Sequence, residues 1–256
     1  MKKISKAQAT AFIVLAVIIV AFAALIIYFN QNSYSSNLNR IFSRLEINAQ
    51  ADQVQSSILG CLESTAKDAL LIIGIQGGYY NKPEKLHDLE WSFIPYYYYE
   101  GQFLMPSTEK IESELSDYVD ENLDTCLKSI ETNDFSMSFN SALTKTIINE
   151  KEVDFQTILR INFEKESETA EYKLENSPIK IESALSDIID VASYITETHK
   201  EDPENICISC VTDMALERNL YVEMIEFDDP SNILVVISEN YTSSEPYVFE
   251  FLNKYP

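Results

Sequence analysis

Ala11-Phe-Ile-Val-Leu-Ala-Val-Ile-Ile-Val-Ala-Phe-Ala-Ala-Leu-Ile-Ile-Tyr28 is an unbroken apolar run, long enough to cross the hydrocarbon core of a bilayer as a helix. Beyond it the apolar residues recur mostly at three- and four-residue steps: Leu38, Ile41, Leu45, Ala49, Val54, Ile58, Leu62, Ala66, Ala69 and Ile73. That spacing is one wide helical stripe. The first proline is Pro83 and the first glycine Gly60. The pattern predicts a single helix from Gln8 to Ile73, about 100 Å long with about a third of it in lipid. Gln76-Gly77-Gly78 ends it, because glycine takes the left-handed conformation that closes a helix.

The expected fold class is α+β: this long N-terminal helix, transmembrane and then amphipathic, packed against an extracellular domain of helices and antiparallel β-sheet. The segments are 1–30 (basic leader and transmembrane helix), 31–78 (amphipathic continuation) and 79–256 (extracellular domain). About 220 residues remain outside the anchor, enough for one sizeable core.

Charge is segregated along the chain. The first 45 residues hold Lys2, Lys3, Lys6, Arg40 and Arg44 and no acid, while the whole chain carries −22. Such an acidic body disfavours nucleic acid as a partner, since nothing would neutralise phosphates. The lysine head places the N-terminus in the cytoplasm and the C-terminal domain outside, as a single-pass protein of the cell membrane. The lipid bilayer is therefore one partner; copies of the chain or other surface proteins are the others to expect. Ala21-Phe22-Ala23 has the form of a signal-peptidase site, but the sequence stays apolar through Phe29, where a cleaved signal turns polar. Asn240-Tyr241-Thr242 is a glycosylation sequon, a short and weakly specific signal.

Past the long helix come Tyr79-Tyr80 and then Trp91-Ser-Phe-Ile-Pro-Tyr-Tyr-Tyr-Tyr-Glu-Gly101, read as an irregular, well-packed loop whose rings cover the core. Pro106-Ser107-Thr108-Glu109 opens a helix with a hydroxyl cap. Its buried stripe is Ile111, Leu115, Tyr118, Val119, Leu123, Cys126 and Leu127. The period then changes to two. Val153, Phe155, Thr157, Leu159, Ile161 and Phe163 alternate as a half-buried strand does. Residues 169–174 supply its hairpin partner and 144–149 a third strand. Ser177-Pro178 is read as the start of a helix to about His199. Its opening, Ile181-Glu-Ser-Ala-Leu-Ser-Asp187, echoes Ile111-Glu-Ser-Glu-Leu-Ser-Asp117. Strands are expected at 220–227, 233–238 and 247–251, with turns at Pro230-Ser231-Asn232 and 243–246.

Four cysteines allow three pairings. Cys61 and Cys126 each adjoin a leucine on an apolar helix face, so a bridge between them would staple the second helix to the rod. Cys207-Ile208-Ser209-Cys210 is then a local disulfide or a buried pair. A redox CxxC needs its first cysteine at a helix N-terminus to stabilise thiolate, and the acids around it (Glu201, Asp202, Glu204, Asp213) work against that. There are two histidines, His87 and His199, both read as solvated helix residues. No GxSxG, HExxH or glycine-rich phosphate loop occurs, so catalytic, cofactor and metal residues are none by this reading. With 41 acids, chance carboxylate pairs carry little information.

The head Lys3-Ile-Ser-Lys-Ala-Gln-Ala-Thr-Ala-Phe12 resembles the class III signal of archaeal type IV pilin-like proteins. The resemblance implies a cut between Ala7 and Gln8. The chain departs from that pattern at Ala7, where glycine is commoner, and at Phe12, where many pilins carry glutamate. The segments KAQATAFIVLAVIIV, CLESTAKDALLIIGIQGGYY, IPYYYY, ENLDTCL and PYVFEFLNKY together resemble an uncharacterised family of membrane-anchored surface proteins from small-genome archaea, which implies placement and architecture but no activity. The expected function is a pilin-like, non-enzymatic surface protein for structure or contact. The alternative is an anchored extracellular enzyme or thiol–disulfide protein using Cys207 and Cys210 or an acidic pair.

Overall fold

The computed structural model describes residues 37–47, 51–132, 134–175, 177–201, 207–239 and 247–254. The apolar run, the Ala7–Gln8 cut, the Asn240 sequon and the 243–246 turn lie outside the described residues. Among those described, no helix is long and apolar enough to cross a membrane. The fold is α+β. Among the described residues, helices α1 (37–44), α2 (Ala51–Ile75), α3 (Thr108–Lys128), α4 (Leu185–Glu201) and α5 (Ile208–Glu217) are interspersed with eleven strands.

The chain divides into two compact units. The smaller comprises 37–58, 132–138 and 162–172 of the described residues. Its core is a ring cluster: Phe42 stands edge-on to Phe163 at 5.2 Å, and Phe135 lies 5.5 Å from Phe42 and 5.7 Å from Phe163. Leu38, Leu45, Ile47, Val54 and Ile58 are buried with them.

Here the expectation of one helix through to Ile73 is corrected. The helix stops at residue 44, Glu46 takes a left-handed φ of 50°, and the Ile47 N–H reaches back to the Phe42 carbonyl at 2.9 Å. That six-to-one bond is the mark of a Schellman C-cap. The apolar stripe continues across the break, so spacing alone does not register it.

The larger unit holds most of the remainder. One sheet has the order β1 (Leu86–Asp88), β2 (Phe93–Tyr99), β11 (Val248–Lys254), β10 (Asp229–Glu239), β9 (Leu220–Phe227), with β3 (Gln102–Phe103) also on β2. The pairs are antiparallel except β2 with β11, which run parallel. The sheet is therefore mixed, not antiparallel as expected; alternation fixes which face a residue occupies but not strand direction.

The aromatic stretch is corrected too: Phe93 to Tyr99 form β2, not an irregular loop, while Tyr79 and Tyr80 lie outside any strand. Aromatic β-preference outweighs its proline. Tyr97 and Tyr98 are buried, as rings covering a core should be, whereas Trp91 is 79% exposed.

The second sheet centres on β6 (Glu152–Lys165), which pairs with β4 (Ser136–Phe139), β5 (Leu143–Ile148), β7 (Glu168–Leu174) and β8 (Ile179–Glu182). In β6 the six expected inward residues, Val153 to Phe163, are the buried ones. Residues 179–182 form β8, not the start of a helix: Ile181 pairs with Val153 and Ile179 with Phe155. The β-branched Ile-x-Ile alternation prevails there, so the echoed heptad folds as helix at Ile111 and as strand at Ile181. Between Phe227 and β10 the turn sits at Asp228, φ 63°, and Pro230 to Asn232 belong to a bulged start of β10.

Candidate functional site

The segment most tightly built is the end of α2. Gly77 (φ 53°) donates to the Gly74 carbonyl at 3.0 Å, and Gly78 (φ 84°) to the Ile73 carbonyl at 2.8 Å. This is again a Schellman cap, where the sequence placed it. A Cβ on Gly77 would sit 2.5 Å from the Glu250 carbonyl and from Pro95 Cγ. At Gly74 it would meet the Val248 carbonyl and come 2.9 Å from the Tyr247 ring. The glycines let α2 lie directly on the backbone of β11. Tyr97, stacked on Phe251 at 4.3 Å, donates its hydroxyl to the Gly77 carbonyl at 2.8 Å.

Glu114 then fixes α3 to this corner. Its Oε2 accepts the N–H groups of Tyr80 at 2.8 Å and Asn81 at 2.7 Å and the Asn81 side-chain amide at 3.1 Å. Its Oε1 pairs with Lys110 Nζ at 2.5 Å. Burial alone would raise the carboxyl, but the Lys110 ammonium and the two backbone N–H groups outweigh it and hold it below its usual range. Two other glutamates cap backbone in the same way. Glu112 accepts from the Ile148 N–H at 2.8 Å, and Glu239 from the Ala184 N–H at 2.7 Å. Sequence reasoning passed over Glu114. Its signal was position: it falls among Ile111, Leu115 and Tyr118 on the apolar stripe, where a charge needs a partner.

The four cysteines form two disulfides, Cys61–Cys126 and Cys207–Cys210. Cys61 is 5% exposed, and its bridge covalently joins α2 to α3 across a sequence separation of 65. Cross-linking a loop of that length removes denatured-state entropy worth about 4 kcal/mol, against about 2 kcal/mol for one of three or four residues. The second disulfide differs in setting. Cys207 is the N-cap of α5, and its Sγ accepts the Cys210 N–H at 3.3 Å. Cys210 is exposed and Cys207 half-buried.

The remaining candidates do not gather. His87 stands on β1, not on a helix, edge-on to Phe227 at 4.9 Å with Nδ1 3.9 Å from Asp228. The side chain of His199 lies outside the described residues. An open groove of about 650 Å³ runs over the cross-strand pair Leu143–Ile158 beside Thr144, Thr157 and Pro178. Asp120, pushed up by burial despite its bonds to Thr144, lies behind that strand on α3. Among the described residues no group of three or more His, Cys, Asp or Glu is placed to hold a metal. Set against family models, curated proteins and solved structures, the chain matches none.

Proposed function

We propose that this chain is a membrane-anchored, pilin-like surface protein whose task is structural contact rather than catalysis, held by residues 11–28 with the acidic α+β body outside. The observation that carries the reading is the Cys61–Cys126 staple. It stands on α2, the second described helix after the apolar run, on the stretch of chain that would carry any pull between anchor and body. A disulfide, here between buried Cys61 and half-buried Cys126, suits the oxidising side of a membrane. The three backbone-capping glutamates support the same reading, since each carboxylate is spent on holding elements together.

Between a filament and a lone anchor, the chain fits the lone or small-oligomer anchor better. Phe12 replaces a charge that would register neighbouring helices, and in lipid the apolar run gains little from self-association. Protease added to intact cells tests the topology. The acidic body should be degraded and a fragment holding the apolar run spared; a protected body overturns the orientation. N-terminal sequencing of the same material separates the forms. A start at Gln8 in sheared fibres would replace the lone anchor by the filament.

A further inference from the structure

Among the described residues, the Cys207–Cys210 disulfide, exposed at Cys210, is a chemically reactive group that the contact role leaves unused. Its two sulfurs are not equivalent. Cys207 Sγ receives the Cys210 N–H at 3.3 Å and lies 3.6 Å from the Ser209 hydroxyl. It also caps the ten-residue α5, whose N-terminal end favours negative charge. Cys210 carries no such donors in the motif and is exposed. Ile208, between them, is 68% exposed and offers an incoming chain an apolar contact beside the sulfurs. Asp213 is the acid on α5 nearest the pair. Its charge opposes a thiolate, less so at Cys207, six residues away, than at Cys210, three residues away, and it disfavours acidic partners.

We propose that Cys207–Cys210 is a thiol–disulfide exchange site for a neutral or basic polypeptide segment carrying two cysteines. The partner's first thiolate attacks the accessible Cys210 Sγ. A bond forms between those two sulfurs as the Cys207–Cys210 bond breaks, and the electron pair leaves on Cys207 Sγ. The Cys210 N–H, the Ser209 hydroxyl and the helix end stabilise that thiolate. The partner's second thiolate then attacks its own first sulfur and releases Cys210. The partner is oxidised by two electrons to a disulfide and this chain is reduced to a dithiol. The two thiol protons given up by the partner are balanced by the two taken up at Cys207 and Cys210, through water. Attack at the sulfur with the better-stabilised leaving group is the faster route.

The test uses the full chain in detergent, mixed with a reduced basic peptide holding two cysteines, then alkylated and digested. One peptide disulfide should form per chain, with label on Cys207 and Cys210 while Cys61–Cys126 stays linked. With hydroxyethyl disulfide as oxidant, substoichiometric chain should speed peptide oxidation about tenfold over the Cys207→Ser/Cys210→Ser double variant. Challenged with the oxidised peptide, reduced Cys207→Ser should accumulate a mixed disulfide at Cys210. Peptide oxidation no faster than with the double variant overturns the proposal, as does label appearing first on Cys61 and Cys126. Glutathione reacting as fast as the peptide overturns the polypeptide as partner.

Discussion

Glu114 on α3 accepts the backbone N–H of Asn81 at 2.7 Å, so a single carboxylate joins that helix to the turn that ends α2. The carboxylate is fully buried, while its partner Lys110 is half exposed. Removing it leaves two N–H groups without an acceptor. Glu114→Ala should cost about 2–3 kcal/mol, after discounting the solvent-screened lysine, and Glu114→Gln less. Urea unfolding followed by near-ultraviolet circular dichroism checks this; a loss below about 0.5 kcal/mol, the range of a surface change, would mean the corner is held by other contacts.

The same carboxylate sets one limb of the pH dependence. Asp120, Glu239 and Glu250 are pushed up by burial. The native state therefore binds their protons more tightly than the unfolded chain, and stability rises as pH falls through their titration. Glu114 is held down, so its contribution is full above the unfolded carboxyl value, about 4.3, and is lost as pH falls through the folded one. Melting temperature should climb from pH 7 to about 5 and drop below about 4. Glu250→Gln should flatten the climb, because burial is its sole cause. A monotonic fall from pH 7 would contradict the assignment.

Two glycines of α2 should respond in opposite ways. Nothing lies within 4 Å of a Cβ added at Gly60, so Gly60→Ala should stabilise by up to about 1 kcal/mol through helix propensity. At Gly74 the added methyl strikes the Val248 carbonyl, backbone that moves only with β11. Gly74→Ala should cost about 2–3 kcal/mol. Parallel thermal melts decide it, and equal responses would show that α2 does not lie on β11 as described.

Cys126→Ser should lower stability by about 4 kcal/mol, the loop-entropy value for this staple. A non-reducing digest of the parent chain should give Cys61 and Cys126 in one linked peptide. Cys61 linked to Cys207 or Cys210 would contradict the packing of α2 against α3.

How far the fold is legible depends on whether local pattern and tertiary partner agree. In β6 they agree: each inward residue from Val153 to Phe163 is buried, as strict alternation requires. The Ser107 cap of α3 is equally local, its hydroxyl accepting the Lys110 N–H. The Gln76-Gly77-Gly78 stop is too. The residues misread are those whose state is decided at a distance. Residues 179–182 are strand because Val153 and Phe155 stand opposite them. Tyr96 to Tyr99 are strand because β11 lies alongside. Glu114 is charged inside because Tyr80 and Asn81, more than thirty residues earlier, supply the donors. For Cys61 and Cys126, helix-face position carried the information, and their bridge is the one it suggested; of the two readings open for Cys207 and Cys210, the local disulfide is the one that formed. The inequivalence of Cys207 and Cys210 was not legible, since it arises from where α5 begins.

The parallel pairing of β2 with β11 brings Tyr96 beside Leu252 and Tyr99 beside Lys254, and it sets a timetable. As the chain is made, the β1–β3 meander emerges early with one flank of β2 vacant, and Tyr97 has no Phe251 to stack on. The first sheet cannot close until residues 248–254 exist, a long wait of the kind that makes folding slow and leaves apolar edges uncovered meanwhile. On the proposed placement beyond a membrane, that delay keeps the first sheet threadable until residues 248–254 have been made. A stop codon at position 248 would therefore leave not a trimmed domain but an unassembled one.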